Sequence, residues 1–551
     1  YSMDISGIQD FIYTITSKGA LKGLRSRSFY LEIMMEHLID SLLEKLFLSR
    51  VNLIYSGGGH AYILLPNTEK VRKIVEDFER EVNEWFLEMF ETQIYIAGGG
   101  AVCSASDFWN EPEGSYREIF RNISKEISFK KLHRYSPKQI IKLNHSGMPY
   151  GERECSVCHR HNYLKDGETE CEICWALKQM SGNILKGDFF TVTSKKEKTC
   201  LPLSGNCYLV TDTESTLRKR MKEDNYYIRS YSKNKPYSGY YVSTKLWVGD
   251  YVNGETFEEL GQRATGIERI AVMRADVDNL GQAFVRGFEN EKNGSKYVTL
   301  SRTATFSRKL SMFFKYHINS LLKEGGYSIL EEEAQMEKED DRRNALIVYS
   351  GGDDIFIVGA WDDIIGFAVD LHDNLMEYSQ DTLKISAGIG IYPSKYPISI
   401  MARETGRLEE AAKSVEGKNA VALFDEKYTF PWEEFIENVV EEKLYFIQKY
   451  FKVVDEKGKN FLYNLLELVR KRKEDKINIA RFAYLLGRME PKVQRGEKKE
   501  EIEEKRDLHR EFSRKMYEWI RVEKDAKELE MAIYLYVYTK REKEEHDGVN
   551  E

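Results

Sequence analysis

Long apolar runs and an excess of positive charge are both missing from this sequence of 551 residues. No stretch of about 18 consecutive apolar residues occurs, so the sequence predicts no transmembrane helix. No signal peptide is evident at the start either. The formal net charge of −8 argues against a protein that coats nucleic acid non-specifically, because such binding needs a general excess of Lys and Arg. We therefore expect a cytoplasmic protein whose contacts with nucleic acid come from local basic patches.

Cysteine is also scarce, and four of the seven cysteines form two Cys-x-x-Cys pairs. The pairs are Cys155 with Cys158 and Cys171 with Cys174, separated by twelve residues. This spacing is typical of a closed tetrahedral zinc site with four cysteine ligands and a structural role. Disulfide bonds are the alternative, and the absence of a secretory signal disfavours them. We predict that the four thiolates bind structural Zn²⁺.

An apolar segment, a tight turn and a second apolar segment follow one another at residues 348–358. The pattern predicts a β-hairpin whose bend carries Gly-Gly-Asp-Asp. Glycine at the bend lets a phosphate group approach the backbone. The adjacent carboxylates of Asp353 and Asp354 repel each other unless a divalent cation lies against them, and oxygen ligands suit Mg²⁺ or Mn²⁺.

A second acidic group ends the apolar strand predicted at residues 269–275. Asp276 and Asp278 should point to the same side, because side chains alternate along a strand. Together with Asp353 and Asp354 they form the acidic cluster that two-metal phosphoryl transfer requires, with ions roughly 3.5–4 Å apart. The alternative is a pair of ordinary turns, in which Gly and Asp are common. We predict that Asp276, Asp353 and Asp354 are catalytic.

The sequence also contains an internal repeat. Residues 52–65 resemble the central hairpin and share Tyr-Ser-Gly-Gly with it, and residues 94–100 resemble residues 385–390. Helical periodicity fills the intervals, so each copy is predicted to be a β-α-β-β-α-β unit of the ferredoxin-like or palm type. The first copy keeps only Asp4 among the acids, and its hairpin ends in His60. We predict that it binds a nucleotide without catalysis; a purely architectural role is the alternative.

The remaining segments complete the predicted organisation. We expect a mixed α/β (α+β) chain with a first palm domain over 1–128, a linker domain with the four-cysteine zinc site over 129–250, a second palm domain over 251–430 and an all-α helical bundle over 431–551. Lys413 and Lys418 flank a helix end at Gly417; they either reach a triphosphate or complement the helix dipole. A basic link containing Lys18, Lys22, Arg25 and Arg27 is predicted to be a flexible loop that either contacts phosphates or RNA or forms a solvated surface. The polar stretch 222–241 is predicted to be a surface loop.

These features together resemble the large subunit of type III CRISPR effector complexes. The paired palm-like domains, the Gly-Gly-Asp-Asp hairpin, the four-cysteine insertion and the helical tail carry the resemblance. The Asp-Ile-Ser-Gly-Ile-Gln-Asp-Phe-Ile start and the Ser-Gly-Gly-Gly-His hairpin make it most similar to subtype III-A, over nearly the whole chain. The family usually carries a His-Asp nuclease domain at its N-terminus, which this sequence lacks. The family belongs to the nucleotidyl cyclase superfamily, which includes GGDEF diguanylate cyclases.

The resemblance implies a nucleotidyltransferase that joins ATP molecules through 3′–5′ links into cyclic oligoadenylates, releases pyrophosphate and is switched on by target RNA. It implies two Mg²⁺ or Mn²⁺ ions on Asp276, the backbone carbonyl of Val277, Asp353 and Asp354. The residues expected to contact nucleotide are Ser56, Gly57, Gly58, His60, Asp278, Asn279, Ser350, Gly351, Gly352, Lys413 and Lys418. Implied partners are ATP, guide RNA, target RNA, an adjacent guide-end subunit and a small helical subunit, with no membrane.

Two other functions remain open at this point. A template-directed polymerase would share the palm and the acids, but it needs a wide basic channel, which the negative net charge disfavours. A non-enzymatic scaffold would hold guide RNA and small subunits through the helical tail and basic loops. The clustered acids disfavour a scaffold alone, because buried carboxylates cost stability unless a metal ion binds them.

Overall fold

The computed structural model of the chain describes residues 1–14, 20–145, 154–160, 164, 167–289, 292, 294–336, 338, 341–454, 460–472, 475–491 and 499–541. Within these ranges the chain forms three β-sheets followed by a helical region. No helix in them has both the length and the apolar character needed to cross a bilayer.

The first palm-like unit is a four-stranded sheet with helices between its strands. Its elements are β1 (Ser2–Ser6), α1 (Ile8–Tyr13), α2 (Ala20–Lys45), β2 (Leu53–Gly57), β3 (His60–Ile63), α3 (Glu69–Phe90) and β4 (Tyr95–Gly99), followed by α4 (Ser115–Leu132) and α5 (Pro137–His145). The strand order is β2-β3-β1-β4, with β1 antiparallel to both neighbours. Met3, Ile5 and Ala61 are buried, as the alternation of side chains along a strand requires when one face packs on helices.

A third sheet lies between the two palms in sequence. Its region contains α6 (Glu172–Lys186), β5 (Phe189–Thr193), β6 (Leu201–Leu203), β7 (Cys207–Asp212), α7 (Glu214–Glu223), β8 (Tyr227–Lys233), β9 (Tyr237–Ser238) and β10 (Val242–Leu246). The six strands are ordered β6-β7-β5-β8-β10-β9. The prediction of a surface loop over 222–241 is therefore wrong. The polar strand β8 is buried because its side chains find partners: Tyr231 donates to Asp40 at 2.8 Å, and Ser232 donates to the Lys235 carbonyl at 2.8 Å.

The second palm-like unit repeats the first and extends it. Its elements are α8 (Phe257–Arg263), β11 (Ile270–Val277), α9 (Leu280–Arg286), α10 (Leu300–Met312), a π-helical stretch (Phe313–His317), α11 (Ile318–Glu324), α12 (Glu332–Met336), β12 (Ala345–Ser350), β13 (Asp354–Ala360), α13 (Trp361–Ser379), β14 (Ile385–Tyr392), α14 (Ile398–Lys413), β15 (Ala420–Leu423) and β16 (Thr429–Pro431). The order β12-β13-β11-β14-β15-β16 begins with the same arrangement as the first sheet. The predicted duplication is confirmed.

The C-terminal region is helical, as predicted. It comprises a π-helical stretch (Glu434–Leu444), α15 (Tyr445–Val453), α16 (Asn460–Lys471), α17 (Ile477–Gly487), α18 (Lys499–Arg521) and α19 (Glu523–Lys540). Trp361 of the second palm packs edge-on against Tyr538 of α19, with ring centroids 5.6 Å apart. The backbone N–H of Ile267 donates to the Tyr538 carbonyl at 2.9 Å. These contacts hold the helical region against the second palm.

Two large apolar clusters join these units. One unites Met3 of the first palm, Tyr231 of the third sheet and Phe356 of the second palm, and the other unites Trp361 with Leu529 of α19. The second palm therefore has one face on the first palm and the third sheet, and its other face on helices. Burial on both faces explains why β11 and β13 are almost continuously apolar.

The predicted basic loop is instead part of a helix. Lys22, Arg25 and Arg27 lie on α2, while Lys18 is outside the described residues. Arg25 and Arg27 are buried, and Arg25 donates to the backbone carbonyl of Asp250 at 3.0 Å. Both arginines are therefore committed to internal contacts and are not available as a flexible basic surface.

Candidate active site

The tips of the two homologous hairpins lie against each other. A β-carbon added at Gly351 would be 3.2 Å from the Cα of Gly58, and one added at Gly57 would be 3.2 Å from the Cα of Gly352. Only glycine permits two backbones to approach this closely. The run of glycines in both hairpins is thus explained by the contact between the two palms as well as by any ligand.

A cavity of about 800 Å³ opens beside this contact. The first hairpin contributes Ser56, Gly57 and Gly58 to its wall, and the second contributes Ser350, Gly351, Asp353 and Asp354. Helix α2 adds the carboxylates of Glu32 and Glu36, and α14 adds Glu409 and Lys413. The volume falls within the range of roughly 300–1,000 Å³ that small-molecule and cofactor sites occupy.

The acids of the second palm meet at neighbouring strand ends. Asp276 of β11 and Asp354 of β13 are directly opposite each other in the antiparallel ladder. The ammonium group of Lys413 lies 2.6 Å from Asp276 and 2.6 Å from Glu409. Glu409 and Lys413 share one face of α14, because residues four apart are neighbours on a helix. A positive charge therefore already lies beside Asp276.

The pKa values of the three aspartates are all raised. Burial raises the pKa of Asp353 to about 7, with repulsion from Asp276 adding to the effect and Lys413 opposing it. Burial also raises the pKa of Asp354 to about 8, with Glu409 adding and Arg274 opposing. The pKa of Asp276 is raised by burial, although Lys413 opposes the shift. The negative charge of the clustered carboxylates is therefore only partly neutralised by the nearby Lys413 and Arg274.

Asp354 has one engaged oxygen and one orphaned oxygen. The hydroxyl of Tyr349 donates to Oδ2, whereas the buried Oδ1 has no hydrogen-bond partner. An orphaned acceptor in a group of acids with raised pKa values fits a bound divalent cation. Among the described residues, only the four cysteines place three or more ligand atoms within 4.8 Å of one another, so the aspartates are neighbours and not a closed ligand set.

Asp278 lies one residue beyond β11, which ends at Val277. Its carboxylate is buried and accepts from Ser386 Oγ and from the backbone N–H of Asn419, each at 2.9 Å. It therefore ties the end of β11 to β14 and to the turn after α14. Ser386 lies opposite Asp276 in the ladder, which agrees with the predicted shared side, although the Asp278 carboxylate is engaged in this tie and does not line the cavity.

Three other predicted nucleotide contacts, Asn279, Lys418 and His60, are not among the residues that line the cavity. Asn279 has a left-handed backbone with φ of 55° and accepts from Lys418 Nζ at 2.8 Å. His60 places Nδ1 3.3 Å from Asp4 and Nε2 2.9 Å from Ser2 Oγ. Both ring nitrogens are thus engaged on their own sheet, and the structure does not bring His60 to the cavity.

Several groups at the site escaped the sequence prediction. Arg274 Nε lies 3.0 Å from Glu409, and Tyr13 of the first palm packs on Phe356 with ring centroids 5.1 Å apart. Arg274 could have been found, because it lies two residues before Asp276 on the same face of β11. Glu409 could have been found from its helical spacing to Lys413. No spacing in the sequence identifies Tyr13, because it belongs to the first palm and reaches the site only when the two palms pack together.

The four predicted zinc ligands form a compact buried cluster. The Sγ atoms of Cys155, Cys158, Cys171 and Cys174 all lie within 4.8 Å of one another. The Arg27 guanidinium donates to Cys174 Sγ at 2.9 Å, and the Arg160 guanidinium donates to Cys158 Sγ at 3.2 Å. The two arginines and a bound divalent ion would together neutralise the negative charge of the four thiolates. The cluster can therefore hold a metal ion. Arg27 connects this cluster to α2 and thus to the cavity.

Comparisons with known proteins agree on one family. Family models match three parts of the chain: "Csm1 subunit domain B" over residues 1–146, "Cas10/Cmr2, second palm domain" over residues 269–422, and "CRISPR RNA silencing complex Cmr2 subunit, second helical domain" over residues 448–542.

Two similar relatives are named CRISPR system single-strand-specific deoxyribonuclease Cas10/Csm1 (subtype III-A). The protein of Mycobacterium tuberculosis is 46% identical over an alignment of 562 positions, and the alignment covers 98% of this chain and 67% of the relative. The protein of Streptococcus thermophilus is 41% identical, with coverage of 98% and 67%. The chain therefore spans about two thirds of the length of each relative.

A solved structure is similar over the same extent. The crystal structure of a Csm1-Csm4 cassette in complex with pppApA has a TM-score of 0.67 and 25% sequence identity to this chain. The match covers 97% of this chain and 69% of that one.

Proposed function

Because the chain belongs to the Cas10/Csm1 family of subtype III-A CRISPR systems, we propose that it joins ATP molecules through 3′–5′ links into cyclic oligoadenylates with release of pyrophosphate. In this proposal the chain is the large subunit of a type III-A effector complex, and target RNA switches it on. One observation carries the proposal: two homologous glycine hairpins meet at one cavity, and only one of them brings clustered acids.

Asp276, Asp353, Asp354 and the backbone carbonyl of Val277 are the groups that would hold Mg²⁺ or Mn²⁺. The raised pKa values and the orphaned Oδ1 of Asp354 support this assignment. Bound divalent cations lower the pKa of an attacking hydroxyl and neutralise charge on the transferring phosphate. Lys413 lies against Asp276 and can turn its ammonium group to a phosphate oxygen when that carboxylate has another partner.

The paired hairpins position the reactants. Ser56, Gly57 and Gly58 hold one nucleotide, and Ser350 with Gly351 and Gly352 hold the other, so that a hydroxyl of one faces a phosphate of the other. Bringing two substrates together in this way makes the reaction effectively unimolecular. Phosphoryl transfer depends mainly on positioning and electrostatics, so no histidine or cysteine base is required. Asp278, Asn279 and Lys418 would then support the acid-bearing turn without touching the reacting groups.

The cysteine cluster is assigned to structural Zn²⁺, because four thiolates in a closed set suit this ion. One similar solved structure is a Csm1-Csm4 cassette in complex with pppApA, and we assign this chain an equivalent subunit contact and adenine nucleotides as ligands. Guide RNA and target RNA follow from the type III-A assignment.

Product analysis tests the proposal. The assembled complex is incubated with ATP and Mg²⁺ or Mn²⁺, with and without target RNA, and without template or primer, and the products are identified by mass. Cyclic oligoadenylate should form with target RNA, and Asp353→Ala with Asp354→Ala should slow its formation by at least ~10³-fold, about 4 kcal/mol of barrier. The exposed acid pair Asp425→Ala with Glu426→Ala is the matched control and should change little. A near-normal rate in the aspartate variant would overturn the mechanism.

A further inference from the structure

The two glycine hairpins carry the same serine, and each serine is tied to a helical segment of its own palm. Ser56 and Ser350 occupy the same place in the repeated Tyr-Ser-Gly-Gly sequence. The hydroxyl of Ser56 donates to Glu36 Oε1 on α2 at 2.8 Å, and the hydroxyl of Ser350 donates to the backbone carbonyl of Phe314. In each palm this helical segment lies between the first strand and the hairpin in sequence. Each hairpin is therefore positioned by the helical segment that precedes it.

An ion pair joins these two helical segments across the palms. Lys315 follows Phe314 in the π-helical stretch, is buried, and places Nζ 2.5 Å from Glu32 Oε1 on α2. Glu32 and Glu36 are four residues apart and share one face of α2. Burial acts to lower the pKa of Lys315, but the charges of Glu32 and Glu36 raise it above its ordinary value. A cation of the second palm is thus attracted by two carboxylates of the first, and π-helical turns such as this one are frequent at functional sites.

The place of this ion pair suits a role in aligning the palms. The hairpin tips meet through glycines, which have no side chains to interlock, so polar contacts behind the tips contribute to their register. A buried ion pair is weak evidence for stability, because apolar residues of similar volume often stabilise a protein as well or better. Its best-attested use is to fix the register of two packed elements.

The reaction between two nucleotides depends on that register. Glu32, Glu36 and Lys315 all line the cavity, together with Ser56 and Ser350. A displacement of about 1 Å between reacting groups can slow a reaction by about 10²-fold. We propose that Glu32, Glu36 and Lys315 form an inter-palm clamp that sets the separation of the two hairpins, and that all three are positioning residues. This inference rests on the proposed function, in which each hairpin holds one nucleotide.

The most informative variant replaces the whole ion pair with apolar residues. Lys315→Met with Glu32→Met leaves no unpaired buried charge, so its stability to urea should approach that of the unaltered protein. A merely structural role predicts that activity recovers together with stability. The clamp predicts that turnover at saturating ATP, in the assembled complex with target RNA, stays about 10–100-fold low. The Kd for a non-hydrolysable ATP analogue should be unchanged, because the clamp aligns bound nucleotides and does not bind them.

Two comparisons separate positioning from folding. Lys443→Met with Glu528→Met removes a fully buried ion pair of 2.7 Å in the C-terminal helical region, and this matched control should keep normal turnover. Glu36→Gln can still accept the hydroxyl of Ser56, whereas Glu36→Ala cannot. Turnover should therefore be higher in Glu36→Gln than in Glu36→Ala.

Hydrogen exchange followed by mass spectrometry tests the clamp in the full chain without catalysis. Amides of residues 54–60 and 349–354 should exchange faster in the Lys315→Met, Glu32→Met variant than in the Lys443→Met, Glu528→Met control. Failure of the proposed synthase activity would leave this result intact. The clamp is overturned if turnover recovers with stability, if the whole loss lies in affinity for the ATP analogue, or if the hairpins exchange equally in the two double variants.

Discussion

Replacing Asp354 by asparagine should stabilise the metal-free protein at neutral pH, in contrast to the usual effect of changing a buried residue. Burial raises the pKa of the Asp354 carboxyl to about 8 from the ordinary value of 3.8. The unfolded chain releases this proton near pH 4, whereas the folded chain keeps it until about pH 8. Between these limits the folded state binds more protons, so its stability falls as pH rises.

The magnitude of the stability change follows from the width of the pH interval over which Asp354 is protonated in the folded state but not in the unfolded state. One pKa unit corresponds to about 1.4 kcal/mol, so the interval between 3.8 and pH 7 corresponds to about 4 kcal/mol. Asparagine does not titrate and can still accept the hydrogen bond from Tyr349. The stability of Asp354→Asn relative to the unaltered protein should therefore be similar near pH 4 and should rise by up to about 4 kcal/mol by pH 7.

Thermal and urea unfolding in EDTA across about pH 4–8 measure this difference. In a domain of about 180 residues, 1 kcal/mol corresponds to a shift of roughly 2–4 °C in Tm. The exposed Asp425→Asn change in the same palm is the control for the loss of a carboxylate outside the cavity. Saturating Mn²⁺ should stabilise the unaltered protein and not the Asp354→Asn variant. Two results would refute the assignment of a buried Asp354 carboxyl with a raised pKa. One is a difference in unfolding free energy that does not change with pH, and the other is a variant that is less stable than the unaltered protein at pH 8.

Three further predictions concern contacts around the two metal sites. Tyr349→Phe removes the hydrogen bond that lowers the pKa of Asp354, so the midpoint of Mn²⁺ binding, followed by calorimetry, should move to higher pH; an unchanged midpoint would contradict this. Lys315 is buried and its ammonium group lies 2.5 Å from Glu32 in the wall of the cavity, so Lys315→Met should cost roughly 3–5 kcal/mol in urea unfolding. Adding Glu32→Met should recover most of this loss; no recovery would mean that the ion pair is not the cause. Arg27→Gln should weaken metal retention by the cysteine cluster about 10–100-fold in chelator competition, and equal retention would exclude a role in charge balance.

Much of the fold was accessible from the sequence because local and global signals agree. The repeated strand–hairpin–strand landmarks predicted the duplicated palm, and helical periodicity predicted the C-terminal region. The third sheet was missed because β8 is polar, and polar strands are buried only when they find partners such as Asp40, which lies on α2. Such partners lie on other units of the chain, so the local sequence around β8 does not identify them.

In the candidate site, too, the features set by local sequence were predicted and those set by packing between distant segments were not. Asp276, Asp353 and Asp354 were predicted from strand ends and a tight bend, which are local features. Arg27 was assigned to a loop, whereas the structure buries it beside Cys174, 147 residues away in sequence.

The central claim is that Asp276, Asp353 and Asp354 hold divalent cations against a nucleoside triphosphate. Electron paramagnetic resonance of Mn²⁺ with a non-hydrolysable ATP analogue at pH 8 tests this claim most directly. The account predicts two bound ions per chain, coupled because they lie roughly 3.5–4 Å apart, and loss of both signals when the three aspartates are changed to asparagine. Equal Mn²⁺ binding in the unaltered chain and in the triple variant would contradict it.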